Sequence, residues 1–304
     1  MPEYPDVEIY VETLAARVVG QPLEGVELKD PFVLRSVEPA PASAVGKKVV
    51  GVRRLGKRVV VELEGQLFIV IHLMIAGRLR WRDPGSKVAP GTLVRLVFPH
   101  GILNLTEAGS KRRAKLYFEA GEEALASHDP GGLEVFEADL AQFTARLTLR
   151  NHTLKRALTD PTLFSGIGNA YSDEILHKAR LSPVKLTQKL TSEEIDRLFS
   201  CTREVLTWWL EHFRKEVGSG FPDKVTAFRP EMATHGKFGE PCPDCGHPIQ
   251  RIRYADNETN YCATCQTGGK LLADRSLSRL LKQDWPRSLD ELEEHKRART
   301  GGTS

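Results

Sequence analysis

The sequence has few of the features that mark membrane, exported or strongly basic proteins. It contains no apolar run that approaches the roughly 18–20 residues needed to cross a bilayer. Its start is acidic and contains proline, which is typical of neither a signal peptide nor a transit peptide. The formal net charge is only +3, so a nucleic-acid partner is not indicated by the sum of the charges, only by their distribution. We therefore expect a globular chain with no membrane segment.

The length and composition predict more than one domain. The chain has 304 residues, of which 40% are hydrophobic and 27% charged, an ordinary globular balance. Because a domain holds about 100–200 residues, two domains are the natural expectation.

The first 120 residues show one helical pattern followed by several strand patterns. Behind Pro5, apolar residues recur at helical spacing up to Val18, and Gly20 ends the pattern. Short runs rich in Val, Ile and Leu then pair as two predicted hairpins, 59–63 with 67–71 and 93–98 with 102–105. Several short strands at close spacing indicate a β-sandwich or barrel behind an N-terminal helix.

Beyond residue 120 the helical pattern takes over. Thr191 and Glu194 form a capping-box pattern that opens a helix running until Gly218, and another helix follows residues 166–169. The later segments are predicted as a loop at 218–240, a cysteine module at 242–265, an amphipathic helix at 271–281, a helix capped by Ser288 and Glu291, and a disordered basic end at 296–299.

Four of the five cysteines have the spacing of a structural zinc site. They are Cys242, Cys245, Cys262 and Cys265, two Cys-x-x-Cys pairs separated by 16 residues. Four thiolates would close a tetrahedron around one Zn²⁺ and leave no open position for chemistry. The spacing favours metal over disulfide or redox cysteines in an unexported chain. The spacer predicts a polar hairpin, either a finger that enters a nucleic-acid groove or a solvated turn.

The start of the chain offers a candidate nucleophile. Removal of Met1 would leave Pro2 with a secondary α-amine, and such amines titrate near ~8, so a useful fraction is unprotonated at neutral pH. Attack on a sugar aldehyde carbon would give an iminium ion, and the adjacent Glu3 is placed to move protons. Taken alone, a Met-Pro-Glu sequence at the start of a chain usually has no catalytic role.

A set of motifs gives this start a context. In order they are Met1-Pro2-Glu3-x-Pro5-Asp6-Val7-Glu8, Gly56-Lys57 before a strand, His72-Leu73-x-x-x-Gly77, Gly166-Ile167-Gly168-Asn169-x-Tyr171-x-x-Glu174, and the cysteine module. Over about residues 2–266 the chain resembles the formamidopyrimidine-DNA glycosylase / endonuclease VIII family.

The resemblance implies an α+β multidomain fold. Its parts would be a catalytic N-terminal helix and β-sandwich at 1–120, a helical domain with a helix–two-turn–helix motif at 121–225, a zinc ribbon at 226–270, and a C-terminal extension at 271–304, partly helical and then disordered. The ribbon would hold one structural Zn²⁺.

The resemblance also implies a DNA repair activity and its residues. Pro2 would be the Schiff-base nucleophile, Glu3 the acid/base at the sugar ring, and Lys57 a phosphate ligand that assists elimination. DNA contacts would come from His72, Ile75, Asn169, Lys237, Arg253 and Asn257. The partner would be double-stranded DNA with a damaged, oxidised base or an abasic site. We expect a cytoplasmic monomer, nucleoid-associated in a bacterium.

Three departures predict an outlying branch of the family. The ribbon position that usually holds an arginine is Asn257, which removes a charge-assisted phosphate contact. Ile75 replaces the methionine that fills the gap left by a flipped base, a role that a branched aliphatic side chain can keep. The opposite-strand Asp-Pro-Arg-Arg-Phe loop is absent, and residues 107–113 take its place.

Two functions follow from this pattern. The first is a glycosylase that also cleaves the abasic site, and the second is a non-catalytic protein that binds damaged or abasic DNA on the same scaffold. The neutral Asn257 and the altered loop favour the second, and the combination of Pro2, Glu3 and Lys57 favours the first. The sequence does not identify the damaged base.

Overall fold

The computed structural model describes residues 1–109, 111–223, 225–254, 257–273, 286–292 and 294. The helices are α1 (Tyr4–Val18), α2 (Glu122–Ala126), α3 (Leu140–Thr148), α4 (Leu154–Thr159), α5 (Asn169–Lys178), α6 (Ser192–Val217) and α7 (Ala263–Thr267). The strands are β1 (Gly25–Leu28), β2 (Val49–Leu55), β3 (Arg58–Leu63), β4 (Leu67–His72), β5 (Gly77–Arg82), β6 (Thr92–Phe98), β7 (Gly101–Glu107), β8 (Lys115–Ala120), β9 (Gln250–Tyr254) and β10 (Asn257–Tyr261). Most of the predicted 271–281 helix and the basic end at 296–299 fall outside the described residues.

The chain divides into two compact units. One unit comprises Met1–Gly132 and Leu206–Ala227, and the other comprises Leu133–Val205 and Phe228–Ser304. Helix α6 contributes its first half to the second unit and its second half to the first. The domain boundaries expected from the sequence stay predictions.

The first unit contains two four-stranded antiparallel sheets. Their strand orders are β1-β6-β7-β5 and β2-β3-β4-β8. Both predicted hairpins are confirmed, since β3 pairs with β4 and β6 pairs with β7. Alternate residues of the two sheets, such as Val59 and Val61 from one and Leu103 and Leu105 from the other, belong to one buried core. This arrangement confirms the expected β-sandwich.

Helix α1 packs its apolar stripe into the same core. Pro5 lies in its first turn, where proline is preorganised for helix, and Val7, Tyr10 and Leu14 are fully buried. The helix therefore fixes the residues just before it, Pro2 and Glu3, against the sandwich.

Three connections of the sandwich meet at one edge, which we call the rim (residues 56–58, 72–77, 107–109 and 111–115). The turn before β3 carries Lys57, and β4 ends at His72 directly opposite the first residue of β3. The loop before β8 meets the same edge because Lys115 pairs with His72. On the second sheet, Gly77 at the start of β5 pairs with Glu107 at the end of β7. Both ends of the loop between β7 and β8 therefore lie at the rim.

The second unit is helical and carries the cysteine module. The capping box of α6 is confirmed, since the Glu194 N–H donates to Thr191 Oγ1 at 3.3 Å and the Thr191 N–H donates to Glu194 Oε2 at 3.0 Å. Strands β9 and β10 form the predicted hairpin between the two cysteine pairs. Three leucines of the described extension, Leu271, Leu272 and Leu289, pack on this hairpin.

The search for membrane spans gives a negative result. Among the helices in the described part of the chain, none combines the length and the apolar character needed to cross a bilayer.

Candidate active site

The second and third residues of the chain are shielded from water, while the Met1 side chain is exposed. Pro2 and Glu3 are buried, and the Glu3 N–H donates to Asp6 Oδ2 at 2.9 Å, which satisfies a donor at the helix N-terminus. The pKa of the terminal amine on Met1 is lowered, first by burial and also by the charges of Arg78 and Lys57, while Glu3 and Asp6 act to raise it. A lowered pKa leaves a larger fraction of this amine unprotonated, which is the form that acts as a nucleophile.

Arg54 ties the turn that carries Lys57 to helix α1. Its Nη1 donates to the Gly56 carbonyl at 2.9 Å and its Nε donates to Glu8 Oε2 at 3.0 Å. The same guanidinium lies over the Tyr4 ring, 4.5 Å from the centroid. Because Tyr4 and Glu8 belong to the first turns of α1, this contact holds the Lys57 turn beside the chain start.

Ile75 stands on a tightly braced turn of the rim. The Gly77 N–H donates to the Leu73 carbonyl at 2.9 Å, and a Cβ at position 77 would lie only 2.4 Å from that oxygen, so the turn requires glycine there. Arg78 Nη1 donates to the carbonyls of Ile75 at 3.2 Å and of Gly77 at 2.7 Å. Leu73 is buried while Ile75 is 55% exposed. The turn thus presents one aliphatic side chain to solvent.

His72 ends β4 beside this turn. Burial, followed by the charges of Arg58 and Lys115 on the neighbouring strands, lowers its pKa to about 4. The imidazole is therefore neutral near pH 7, and can donate one hydrogen bond and accept another.

The loop that replaces the opposite-strand motif is held at its base by Glu107. Its Oε2 accepts from the N–H groups of Arg113 at 2.8 Å and Ala114 at 2.9 Å. Arg112 Nη1 donates to Asp30 Oδ2 at 2.7 Å, and this contact holds the pKa of Asp30 below its usual value. The described residues on either side of position 110 are thus held in place without the Asp-Pro-Arg-Arg-Phe sequence.

In the second unit, Asn169 is the first residue of α5, following Gly168 at the N-cap. Its Nδ2 donates to the carbonyl of Glu258 on β10 at 2.8 Å. The predicted phosphate ligand is thus at a helix N-terminus, where the backbone favours anions, and it also contacts the finger hairpin.

A buried network that the sequence did not indicate holds the segment before the cysteine module. Glu174 accepts from the N–H groups of Ala233 at 2.8 Å, Thr234 at 2.9 Å and His235 at 2.9 Å. Its neighbour Asp173 is bonded by the Lys155 ammonium at 2.5 Å, by His235 Nδ1 at 2.8 Å and by the Asn260 N–H at 3.2 Å. Two carboxylates on one turn of α5 therefore position this segment and β10. The sequence analysis included Glu174 in the motif of residues 166–174 but assigned it no role, because its partners lie about 60 residues away in the chain.

The predicted zinc ligands converge. The Sγ atoms of Cys242, Cys245, Cys262 and Cys265 all lie within 4.8 Å of one another, with separations of 3.9 Å (Cys242 to Cys265) and 3.4 Å (Cys245 to Cys262). A tetrahedral site with Zn–S bonds of about 2.3 Å needs sulfurs about 3.8 Å apart, so the four side chains fit the metal. His177 Nε2 lies 3.3 Å from Cys242 Sγ, a hydrogen bond from α5 that the sequence analysis missed.

The three residues predicted to contact DNA from the cysteine module and the segment before it, Lys237, Arg253 and Asn257, differ in their surroundings. Arg253 is exposed, and its Nε lies 3.6 Å from Glu258 Oε2, which Arg251 also approaches at 3.3 Å. The Lys237 ammonium lies 3.0 Å from Glu240 Oε2. Asn257 begins β10, and its side chain is outside the described part of the structure.

Comparison with protein families matches each part of the chain. The Formamidopyrimidine-DNA glycosylase N-terminal domain matches residues 1–130, the Formamidopyrimidine-DNA glycosylase H2TH domain matches 130–217, and the Zinc finger found in FPG and IleRS matches 239–268. Sandwich, H2TH helices and zinc finger together define the class of H2TH DNA repair glycosylases.

Whole-length relatives agree. A formamidopyrimidine-DNA glycosylase of Thermus thermophilus is 34% identical over 279 residues, covering 88% of this chain and 100% of the relative. One from Carboxydothermus hydrogenoformans is 31% identical with the same coverage. The structure of the complex between the Lactococcus lactis enzyme and DNA containing an abasic site is 26% identical with a TM-score of 0.76, covering 87% of this chain and 99% of that one. The chain belongs to the formamidopyrimidine-DNA glycosylase / endonuclease VIII family.

Proposed function

We propose that this protein excises a damaged, oxidised base from double-stranded DNA and cleaves the resulting abasic site through a Schiff base at Pro2. The observation that carries the proposal is the buried chain start, where Pro2 and Glu3 precede α1 and the Lys57 turn is tied alongside by Arg54. The family relationship and the abasic-site DNA held by the Lactococcus lactis neighbour support it.

The residues take complementary steps. With Met1 removed, the Pro2 nitrogen forms a bond to C1′ while the C1′–base bond breaks; the base leaves with the bonding electrons and takes up the proton that the Pro2 nitrogen loses. Glu3 delivers a proton to the ring oxygen as the ring opens, which leaves an iminium ion between Pro2 and C1′. Loss of a C2′ proton then expels the 3′ phosphate, with Lys57 at the phosphate. Water releases the sugar from Pro2.

Access to C1′ requires the damaged nucleotide to leave the duplex. The exposed Ile75 would fill the vacated space, since its turn is braced by Arg78 and cannot collapse under the stacked bases. His72, Asn169, Lys237, Arg253 and Asn257 would contact the backbone. A monomeric state and a cytoplasmic or nucleoid location belong to the same proposal.

The cysteine module would hold one structural zinc ion. Zinc bound by four thiolates supplies folding free energy and no reactive position. The ribbon would then be a rigid support for the hairpin that carries Arg253 and Asn257.

Replacing a zinc ligand tests this role. Cys262→Ser is expected to reduce bound zinc from about one per chain to near zero and to weaken DNA binding, because a structural site rarely survives the loss of a ligand. Metal content per chain is the measurement. Cys201→Ser is the control, since Cys201 is buried in α6 outside the cluster. Full zinc content in the Cys262 variant would contradict the assignment.

The neutral finger position gives a second prediction. Asn257→Arg is expected to tighten binding to lesion DNA and to steepen the salt dependence of log K by about one unit, because one more phosphate contact releases one more counterion. Binding is measured against salt concentration. Asn151→Arg adds the same charge at an exposed position and should leave the slope unchanged. An unchanged slope for Asn257→Arg would show that this position does not meet phosphate.

The alternative is a damaged-DNA-binding protein without catalysis, favoured by Asn257 and the altered loop. Incubation of excess protein with an abasic-site duplex distinguishes the two functions. The proposed enzyme nicks the duplex, whereas the alternative binds it in a salt-dependent way and leaves it intact at any protein excess. A panel of duplexes with single damaged bases then identifies the substrate.

A further inference from the structure

A row of three basic residues crosses the sheet β2-β3-β4-β8 at the rim. Arg58 pairs directly with His72, and His72 pairs directly with Lys115. Residues directly opposite on neighbouring antiparallel strands project from the same face, so the three side chains lie side by side. We call them the basic row.

The basic row lies on the outer face of the sandwich. Strand residues alternate between faces, and the neighbours Val59, Ile71 and Leu116 are buried in the core between the sheets. The row therefore projects with Val60 and Val70, which belong to a small separate cluster on the other side of the sheet. Its members are only partly exposed, not fully solvated.

None of the three side chains has a hydrogen bond or ion pair within the described part of the chain. The Nε of Arg58 is shielded from solvent and has no acceptor. An opposed carboxylate is the usual neighbour for a partly buried arginine or lysine on a sheet, and like charges placed opposite each other destabilise it. Elsewhere on this sheet a charged residue does have such a partner, since the exposed Arg53 on β2 is ion-paired with Glu62, which lies diagonally across from it on β3. Among the described residues the basic row has no ion pair of this kind, and the carboxylate of Asp129 acts on Arg58 only through its charge.

His72 separates the two charges without adding a third. Its pKa is held near 4 by burial and by its two cationic neighbours, so it is neutral near pH 7. The row then presents two cations and one neutral imidazole over two inter-strand steps, about 10 Å. An anion above His72 would be within reach of both flanking cations.

The residues beside the basic row indicate which anion it would bind. Lys57 directly precedes Arg58, the Ile75 turn directly follows His72, and the loop with Lys111 and Arg113 leads into Lys115. The row is thus continuous with the residues proposed to grip DNA at the lesion.

We propose that Arg58 and Lys115, with His72 between them, bind a phosphate of the DNA backbone. The inference rests on the proposed function and adds two phosphate ligands to it. Unlike Lys57, these residues do not act on the reacting sugar, so they contribute to binding and register and not to the chemical step.

The test is the salt dependence of binding to a duplex with a tetrahydrofuran abasic-site analogue, which cannot be cleaved through a Schiff base. Arg58→Gln with Lys115→Gln should weaken binding by about tenfold or more and make the slope of log K against log salt less negative by about 0.9. Lys215→Gln is the charge-matched control for a single change; this exposed lysine of α6 should leave the slope unchanged. Arg58→Lys keeps the positive charge and should largely retain the parental slope.

Stability and chemistry separate this role from a structural one. The double variant should unfold at the same or a higher temperature than the parent, because it removes two like charges on one face of the sheet, one of which has a buried Nε without an acceptor. At saturating protein it should still nick abasic DNA. If the double variant does not fold, Lys115→Gln alone on the edge strand β8 should shift the slope in the same direction.

The outcomes distinguish the two proposals. If the parent protein nicks abasic DNA but the double variant keeps the full salt dependence of binding, the proposal of phosphate binding by the basic row is wrong and the catalytic function stands. If that variant keeps the slope although inorganic phosphate raises the unfolding temperature of the parent, the row is a free-anion site and not a DNA contact. If the parent never nicks abasic DNA, the proposed catalytic function is wrong. The salt slope of the double variant would still show whether the basic row binds a DNA phosphate.

Discussion

A mature chain extended by two residues ahead of Pro2 is expected to lose nicking of abasic DNA altogether. The extension converts the Pro2 nitrogen into an amide, which is not a nucleophile, and moves the new amine up to about 7 Å along the chain. Since Pro2 and Glu3 are buried against the sandwich, the displaced amine would not occupy the same position. Strand nicking on an abasic duplex is the measurement.

The control for this variant carries the same two residues at the other end of the chain. It should nick at the parental rate, and both proteins should bind the tetrahydrofuran duplex with similar affinity. Undiminished nicking by the N-terminally extended protein would mean that another nucleophile, such as a lysine, performs the reaction.

Glu3→Gln is expected to slow excision of a damaged base by about 10²–10⁴-fold, which is the usual contribution of a positioned general acid or base. This loss corresponds to roughly 3–5 kcal/mol of transition-state stabilisation. Nicking of a preformed abasic site should fall less, because part of that sugar is already open as the aldehyde. Single-turnover rates on the two substrates measure the difference.

The isosteric change leaves the buried contacts of position 3 largely in place, so the folded state should persist. Glu12→Gln on the same helix is the matched control, because Glu12 is ion-paired with Arg214 on α6 and lies outside the site. Equal losses on both substrates would assign Glu3 to a step shared by excision and cleavage. Parental rates on both would remove it from the mechanism.

Local patterns in the sequence were sufficient for many individual elements of the fold, while the resemblance to the family predicted how they are organised into domains. The hairpin of β3 and β4 followed from short apolar runs on either side of a glycine turn, and the capping box of α6 followed from Thr191 and Glu194. Both features depend on residues close together in the chain. The zinc-type cluster was predictable for a similar reason, since each Cys-x-x-Cys pair forms its own turn.

The features that were missed depend on partners distant in sequence. The basic row requires the register of three strands, and Lys115 is 43 residues beyond its neighbour His72, so no local pattern places them together. The contacts of Glu174 with residues 233–235 and of His177 with Cys242 span about 60 residues in the same way. A motif can therefore contain such residues while giving no indication of what they contact.

The most direct measurement of the central claim is the identity of the residue that the sugar joins. Borohydride reduction of the protein on abasic DNA should trap a covalent adduct, and digestion with trypsin should place the sugar on the peptide Pro2–Arg17 with Met1 absent. An adduct on a peptide that contains Lys57, or on a chain that retains Met1, would contradict the account.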